Sequence, residues 1–258
     1  MLDKQIVACM QAEYGLGAAQ VVFLPWGADA RTAVYRITTP DETDYFLKLR
    51  KGRWEETAVT LPKFLHDHGV TQIIPPLPTQ SGQLWGVLDE YKTILYPFVP
   101  GHDAYQVNLE ERHWRELGLA LKQIHTANVP SLIRSHLRQE TYAAEGREAV
   151  KMFLTRLETE VYTDPVALEL AAFLQEKRAE ILDLVVRADQ LAQRLQSQPQ
   201  NWVVCHSDLH AGNLHIGVDG ALYIVDWDEP ILAPKERDLM YIGGGLLASG
   251  LTPQEEAQ

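Results

Sequence analysis

The residues best placed to do chemistry lie in one stretch, NWVVCHSDLHAGNLHIGVDGALYIVDWDEP, at 201–230. Within it Asp208 stands five residues before Asn213, and Asp226 follows thirteen residues after Asn213. This is the spacing of a kinase catalytic loop with a metal-binding acid behind it. Moving a phosphoryl group onto a hydroxyl requires a carboxylate that orients the hydroxyl and takes its proton, a role Asp208 fits. It also requires separate oxygen ligands for Mg²⁺, a hard ion that keeps water and phosphate in its shell. Asn213 and Asp226 offer a carbonyl and a carboxylate for that purpose. His206 is expected to brace the loop by hydrogen bonding, His210 to do the same or to line the cleft, and Asp228 to assist a second ion or face the substrate. Two other readings use the same residues. The short pattern could be a chance match in a hairpin, or His206, Asp208, His210 and Asp226 could form the metal site of a hydrolase. The second leaves a lysine in the N-terminal half, and the two-lobe layout, without a purpose.

That lysine is Lys48, in the apolar run DYFLKLR, where it could reach nucleotide phosphates. A lysine on an edge strand that simply points to water would read the same. What distinguishes them is the helix expected between Trp54 and His68, which carries Glu55 and Glu56. In kinases a glutamate so placed holds the lysine toward the phosphates, and Glu56 is the expected partner. Pro62 inside that helix predicts a late start or a kink. The turn PWGADARTAVYRI matches a phosphate-covering loop in position only, since GxGxxG and GxxxxGK are both missing.

The elements that must position these groups fall into two kinds. Over the first hundred residues VVFLPWG, TAVYRIT, DYFLKLR, LWGVLD and KTILYPFV read as strands, with the one helix among them. From Asn108 onward the period becomes helical. Asn108 is the expected N-cap with Glu111 as its capping-box partner, and a long helix is expected from Asp164 and Pro165 through Leu195. Inside this helical half, WVVC and ALYIVDW are strand-like, and Asp219-Gly220 signals a hairpin. The fold class is therefore α+β with two lobes. Residues 1–95 form a nucleotide-binding lobe of antiparallel sheet and one helix, and 96–101 (YPFVPG) a stiff hinge. A mainly helical lobe of 102–258 carries the catalytic loop 206–213 and the metal segment 224–228.

With 258 residues and 46% hydrophobic content the chain can fill a sizeable core. A net charge of -12 argues against nonspecific binding to nucleic acid or an anionic membrane and suits a cationic small substrate. Cys9 and Cys205 are too few for a disulfide framework. No export signal and no run of about 20 apolar residues is seen, so a cytoplasmic location is expected.

Together these residues resemble the aminoglycoside phosphotransferase and choline kinase superfamily, small-molecule kinases of the protein-kinase fold. Similarity to its antibiotic-phosphorylating members runs from the first helix to Gly245 and is densest in CHSDLHAGN, IVDWDEPILAPKERDLMYIGGG and YPFVPG. The resemblance implies Asp208 as catalytic base, Asn213 and Asp226 on Mg²⁺, Lys48 on the phosphates of ATP with Glu56 as its partner, and backbone groups of Pro97, Phe98 and Val99 on adenine. It implies that Asp238 braces the catalytic loop and that glycines 243–245 permit tight helix packing or a turn. The implied reaction is O-phosphorylation of a small cationic aminocyclitol antibiotic. A kinase for choline, an amino alcohol or a sugar stays open. So does a nucleotide-binding protein without transfer activity, because family members continue through further helices and the chain is expected to be short at its C-terminus. The oligomeric state is left open.

Overall fold

A computed structural model of the protein describes residues 2–27 and 29–241. They form two compact units, one made of the residues up to Arg138 together with those from Trp202 onward, the other of Gln139–Asn201. The hinge expected at 96–101 falls inside the larger unit.

The larger unit opens with helix α1 (Leu2–Cys9), which runs into a wider π turn over Met10–Tyr14 and ends at Gly15 in the left-handed conformation. This helix is additional to the single one expected among the strands. A five-stranded antiparallel sheet follows, built from β1 (Gln20–Leu24), β2 (Thr32–Thr38), β3 (Asp44–Lys51), β4 (Gly86–Leu88) and β5 (Tyr91–Pro97) in the order β1-β2-β3-β5-β4. Because β3 lies between two neighbours, Lys48 stands opposite Val34 on one side and Ile94 on the other. It is therefore on an inner strand. Side chains alternate between the faces of a strand. Leu47 and Leu49 are buried in a cluster with Ile6, Met10, Ile37 and Leu95, which leaves Lys48 and Arg50 on the opposite face.

Helix α2 (Thr57–Asp67) contains the buried Pro62 and starts at Thr57, so Glu55 and Glu56 precede its first turn. Strand β6 (Gly101–Asp103) then pairs with Leu214–Gly217, which pairs in turn with Leu222–Ile224 across the expected Asp219-Gly220 turn. Gly220 has φ 78°, the conformation such a turn demands. A second pairing joins Val203–Cys205 to Ile231–Ala233. These short ladders bracket the polar loop and carry its residues at their ends.

They rest on helix α3 (Glu111–Thr126), whose buried face of Leu117, Ala120, Leu121 and Ile124 packs into one cluster with Val204, Leu209, Leu214, Leu222, Ile224 and Trp227. Each fully buried leucine or isoleucine contributes about 1.5–3 kcal/mol. The N-cap of α3 is Glu110 and not Asn108, and its backbone N–H donates to His113 Nδ1 at 2.9 Å. A histidine thus does the work expected of the glutamate in a capping box.

In the smaller unit, helices Glu145–Thr159, Pro165–Glu176 and Arg178–Gln196 enclose Leu154, Leu157 and Ala171. Asp164 caps the second of these, its Oδ1 accepting from Ala167 N–H at 2.9 Å. The single long helix expected from there is two helices, broken at Lys177 (φ −85°, ψ 1°). Glycines 243–245 lie outside the described residues.

Candidate active site

The polar loop is held from behind by buried groups. Asp238 is buried and takes three donors: Ser207 N–H at 2.7 Å on Oδ1, and His206 N–H at 3.2 Å and His125 Nε2 at 2.8 Å on Oδ2. His206 is buried against the edge of Trp227. Its Nε2 donates to Val225 O at 2.9 Å and its Nδ1 accepts Asp208 N–H at 3.3 Å, an arrangement that suits only the neutral ring. Burial pushes its pKa down, although the Asp238 charge opposes the shift. The histidine braces both the loop and the segment carrying Asp226.

Two residues with side chains adopt the left-handed conformation here, Ser207 (φ 74°) and Asp226 (φ 63°). Such a conformation costs of order 1 kcal/mol or more and persists where surrounding contacts dictate it. Ser207 is tied down through Oγ, which donates to Glu229 O at 2.8 Å.

On this frame Asp208 presents an exposed carboxylate. Asn213, itself buried, donates through Nδ2 to Asp208 O at 2.7 Å and faces Asp208 Oδ2 at 3.5 Å. Its backbone carbonyl accepts Val225 N–H at 3.0 Å, which ties it to the strand end before Asp226. His210 caps the short turn Ala211–Asn213, its Nδ1 accepting Gly212 N–H at 3.0 Å.

The structure brings Lys48 to the same place. Its Nζ lies 2.7 Å from Asp226 Oδ1 and 2.7 Å from Asp228 Oδ1. Arg50, two residues on and on the same face of β3, pairs with Asp228. Burial works against the charge on Asp226, but the adjacent Lys48 ammonium wins and holds its carboxyl below the usual range. Glu56 is not part of this cluster. Its side chain is exposed ahead of α2, and the carboxylate partners of Lys48 are Asp226 and Asp228. The late start of α2 leaves the glutamate outside the helix that was to aim it.

At the hinge, Pro97 has no N–H, Phe98 N–H donates to Asp44 O at 3.3 Å, and Val99 O accepts from His215 Nε2 at 2.9 Å. Among the described residues the Val99 N–H and the Phe98 carbonyl make no hydrogen bond. Sequence reasoning missed Arg50, His125, and two tyrosines, Tyr105 and Tyr241, whose rings flank His210. Strand alternation from Lys48 would have found Arg50, but nothing local marks the others.

Fold and site together define a kinase-like phosphotransferase. Residues 21–243 match the model of the phosphotransferase enzyme family (APH), and the chain belongs to that family. It is similar to spectinomycin phosphotransferase APH(9)-Ia, solved in complex with ADP and spectinomycin: 35% identical, TM-score 0.89, covering 98% of this chain and 77% of that one. The AMP-bound complex of the same enzyme is 34% identical over 98% and 78% of the two chains, TM-score 0.86. An amicoumacin kinase in complex with AMP-PNP, Ca²⁺ and Ami shares the fold at 19% identity and TM-score 0.59, over 93% and 68% of the chains. No curated protein matches the sequence.

Proposed function

We propose that this protein transfers the γ-phosphoryl group of ATP to a hydroxyl of spectinomycin, a small cationic aminocyclitol, and so confers resistance to it. The observation that carries the reading is the meeting of Lys48, from the sheet, with Asp226 and Asp228, on a segment tied through Val225 and Asn213 to the exposed Asp208. The likeness to an enzyme solved with spectinomycin supports the choice of acceptor, and a net charge of -12 suits a cation.

In this reading Asp208 accepts the proton of the attacking hydroxyl as its oxygen bonds to the γ-phosphorus and the bond to the β-phosphate bridging oxygen breaks. Lys48 binds the phosphates and offsets their charge. The Val99 N–H and the carbonyls of Pro97 and Phe98 hold the adenine edge. The donor set fits Mg²⁺: with Asn213 Nδ2 committed to Asp208, its Oδ1 is left as a neutral oxygen ligand, and Asp226 and Asp228 offer carboxylates. When bound, the ion neutralises phosphate charge and orients the transferred group. A cytoplasmic reaction is part of this reading; separately, the described residues contain no helix long and apolar enough to cross a membrane.

The test is mass spectrometry of spectinomycin, a panel of aminoglycosides, choline and sugars after incubation with the protein, Mg²⁺ and ATP. Spectinomycin is expected to gain one phosphate, and Asp208→Ala to abolish the gain while nucleotide still binds. Phosphorylation of choline or a sugar instead would overturn the acceptor assignment. Nucleotide binding with no product on any acceptor would overturn the reading itself.

A further inference from the structure

The proposed transfer needs one oxygen of Asp208 free for the acceptor hydroxyl, and Oδ2 is the oxygen that nitrogen donors face, with the Tyr241 hydroxyl also drawn to the carboxylate. Oδ2 faces Asn213 Nδ2 at 3.5 Å and His210 Nε2 at 3.7 Å. On the far side of the His210 ring, Nδ1 accepts the Gly212 N–H. A neutral imidazole that accepts at one nitrogen carries its proton on the other, so the N–H of His210 is Nε2–H, on the side of Asp208. Tyr105 stacks on the ring at 6.1 Å and 25°, and Tyr241 meets it edge-on at 5.8 Å and 87°. Space beneath it is tight as well. A Cβ on Gly212 would lie 2.8 Å from His210 Cε1 and 3.1 Å from Tyr105 Cε2.

We propose that His210 is a positioning residue for the catalytic base. Its Nε2–H and the amide of Asn213 hold Oδ2 of Asp208, so that Oδ1 is the oxygen presented to the acceptor hydroxyl and the one that takes its proton. The inference rests on the kinase reading above and adds to it which oxygen reacts and what aims it. The 3.7 Å separation is longer than a hydrogen bond. Such contacts shorten when the substrate complex forms.

The two nitrogens of His210 do separate jobs, and two substitutions pull them apart. Asn places its Oδ1 where Nδ1 stands, so His210→Asn keeps an acceptor for Gly212 N–H and loses the donor facing Asp208. Gln places its Nε2 near the position of the imidazole Nε2, so His210→Gln keeps a donor for Asp208 and loses the cap.

The experiment is steady-state kinetics of the full chain and both variants, with crystal structures of the variants. His210→Asn is expected to keep its Tm and its nucleotide KM within about twofold and to lose roughly ten- to a hundredfold in kcat, the scale that a misplacement of about 1 Å can reach. In its crystal structure the Asp208 carboxylate leaves its place beside Asn213 Nδ2. His210→Gln is expected to retain most of kcat and the carboxylate position, though with a lower Tm. Wild-type kcat in His210→Asn with an unmoved carboxylate would overturn the proposal, as would equal losses of kcat in both variants. A wild-type protein that phosphorylates nothing would count against the kinase reading, and the carboxylate positions would still decide this one.

Discussion

Asp238 Oδ1 accepts the backbone N–H of Ser207 at 2.7 Å across thirty-one residues, and so fixes the first turn of the catalytic loop from a separate segment. Its other oxygen takes His206 N–H and His125 Nε2, so one buried carboxylate joins α3, the loop and the segment after Ile231–Ala233. The loop is therefore shaped from outside itself.

Asp238→Ala is expected to strand two buried N–H groups, at about 1–3 kcal/mol each, and to lower stability by roughly 3–5 kcal/mol. Asp238→Asn keeps one acceptor and should lose less. Urea denaturation measures both, and an unchanged midpoint in Asp238→Ala would show that the loop finds other partners.

Lys48→Met removes the ammonium shared by Asp226 and Asp228. It is expected to reduce kcat/KM for ATP by roughly a hundredfold or more, because a positioned cation acts on charge that grows during transfer. Lys48→Arg should not restore it, since the longer, planar guanidinium sets its charge away from the point where the compact ammonium sits. Kinetics within about threefold of wild type would refute the role.

Glu56→Ala is expected to leave ATP kinetics within about twofold of wild type, because its side chain is exposed and Lys48 is held by other acids. A fall comparable to that of Lys48→Met would show that Glu56 swings onto Lys48 in the working enzyme.

The outcome for Glu56 separates what the sequence makes legible from what it does not. Asp208, Asn213 and Asp226 could be read because their spacing lies within one strand, loop and hairpin, and the Asp219-Gly220 turn announces its own geometry. The strands of the sheet were legible for the same local reason. Partnerships across the chain were not: Lys48 meets acids 178 and 180 residues away, with nothing around Lys48 to choose them over nearby Glu56. The break at Lys177 was hidden too, since QEKRAE contains no glycine or proline, and His113 took the place of Glu111 in the cap because the helix is capped at Glu110, two residues later than Asn108.

His206 sets a pH dependence. Its folded pKa is depressed, so between that value and the unfolded value of about 6.5 the unfolded chain binds the extra proton, and stability falls as pH drops through the window. His206→Gln removes the titration. Urea midpoints at pH 5 and pH 7.5 are expected to differ more for wild type than for the variant. An equal difference would assign the acid sensitivity to other groups.

The left-handed backbone at Ser207 and Asp226 bears on how this protein can be altered. A glycine at either position would relieve conformational cost, and at Asp226 it would also delete the carboxylate that Lys48 holds. Screening variants for heat resistance alone would thus reward disarmed molecules. Any effort to harden the scaffold has to select on phosphorylated product, because at Asp226 durability and the proposed chemistry pull on one residue in opposite directions, whereas Ser207 is held by its own bond to Glu229.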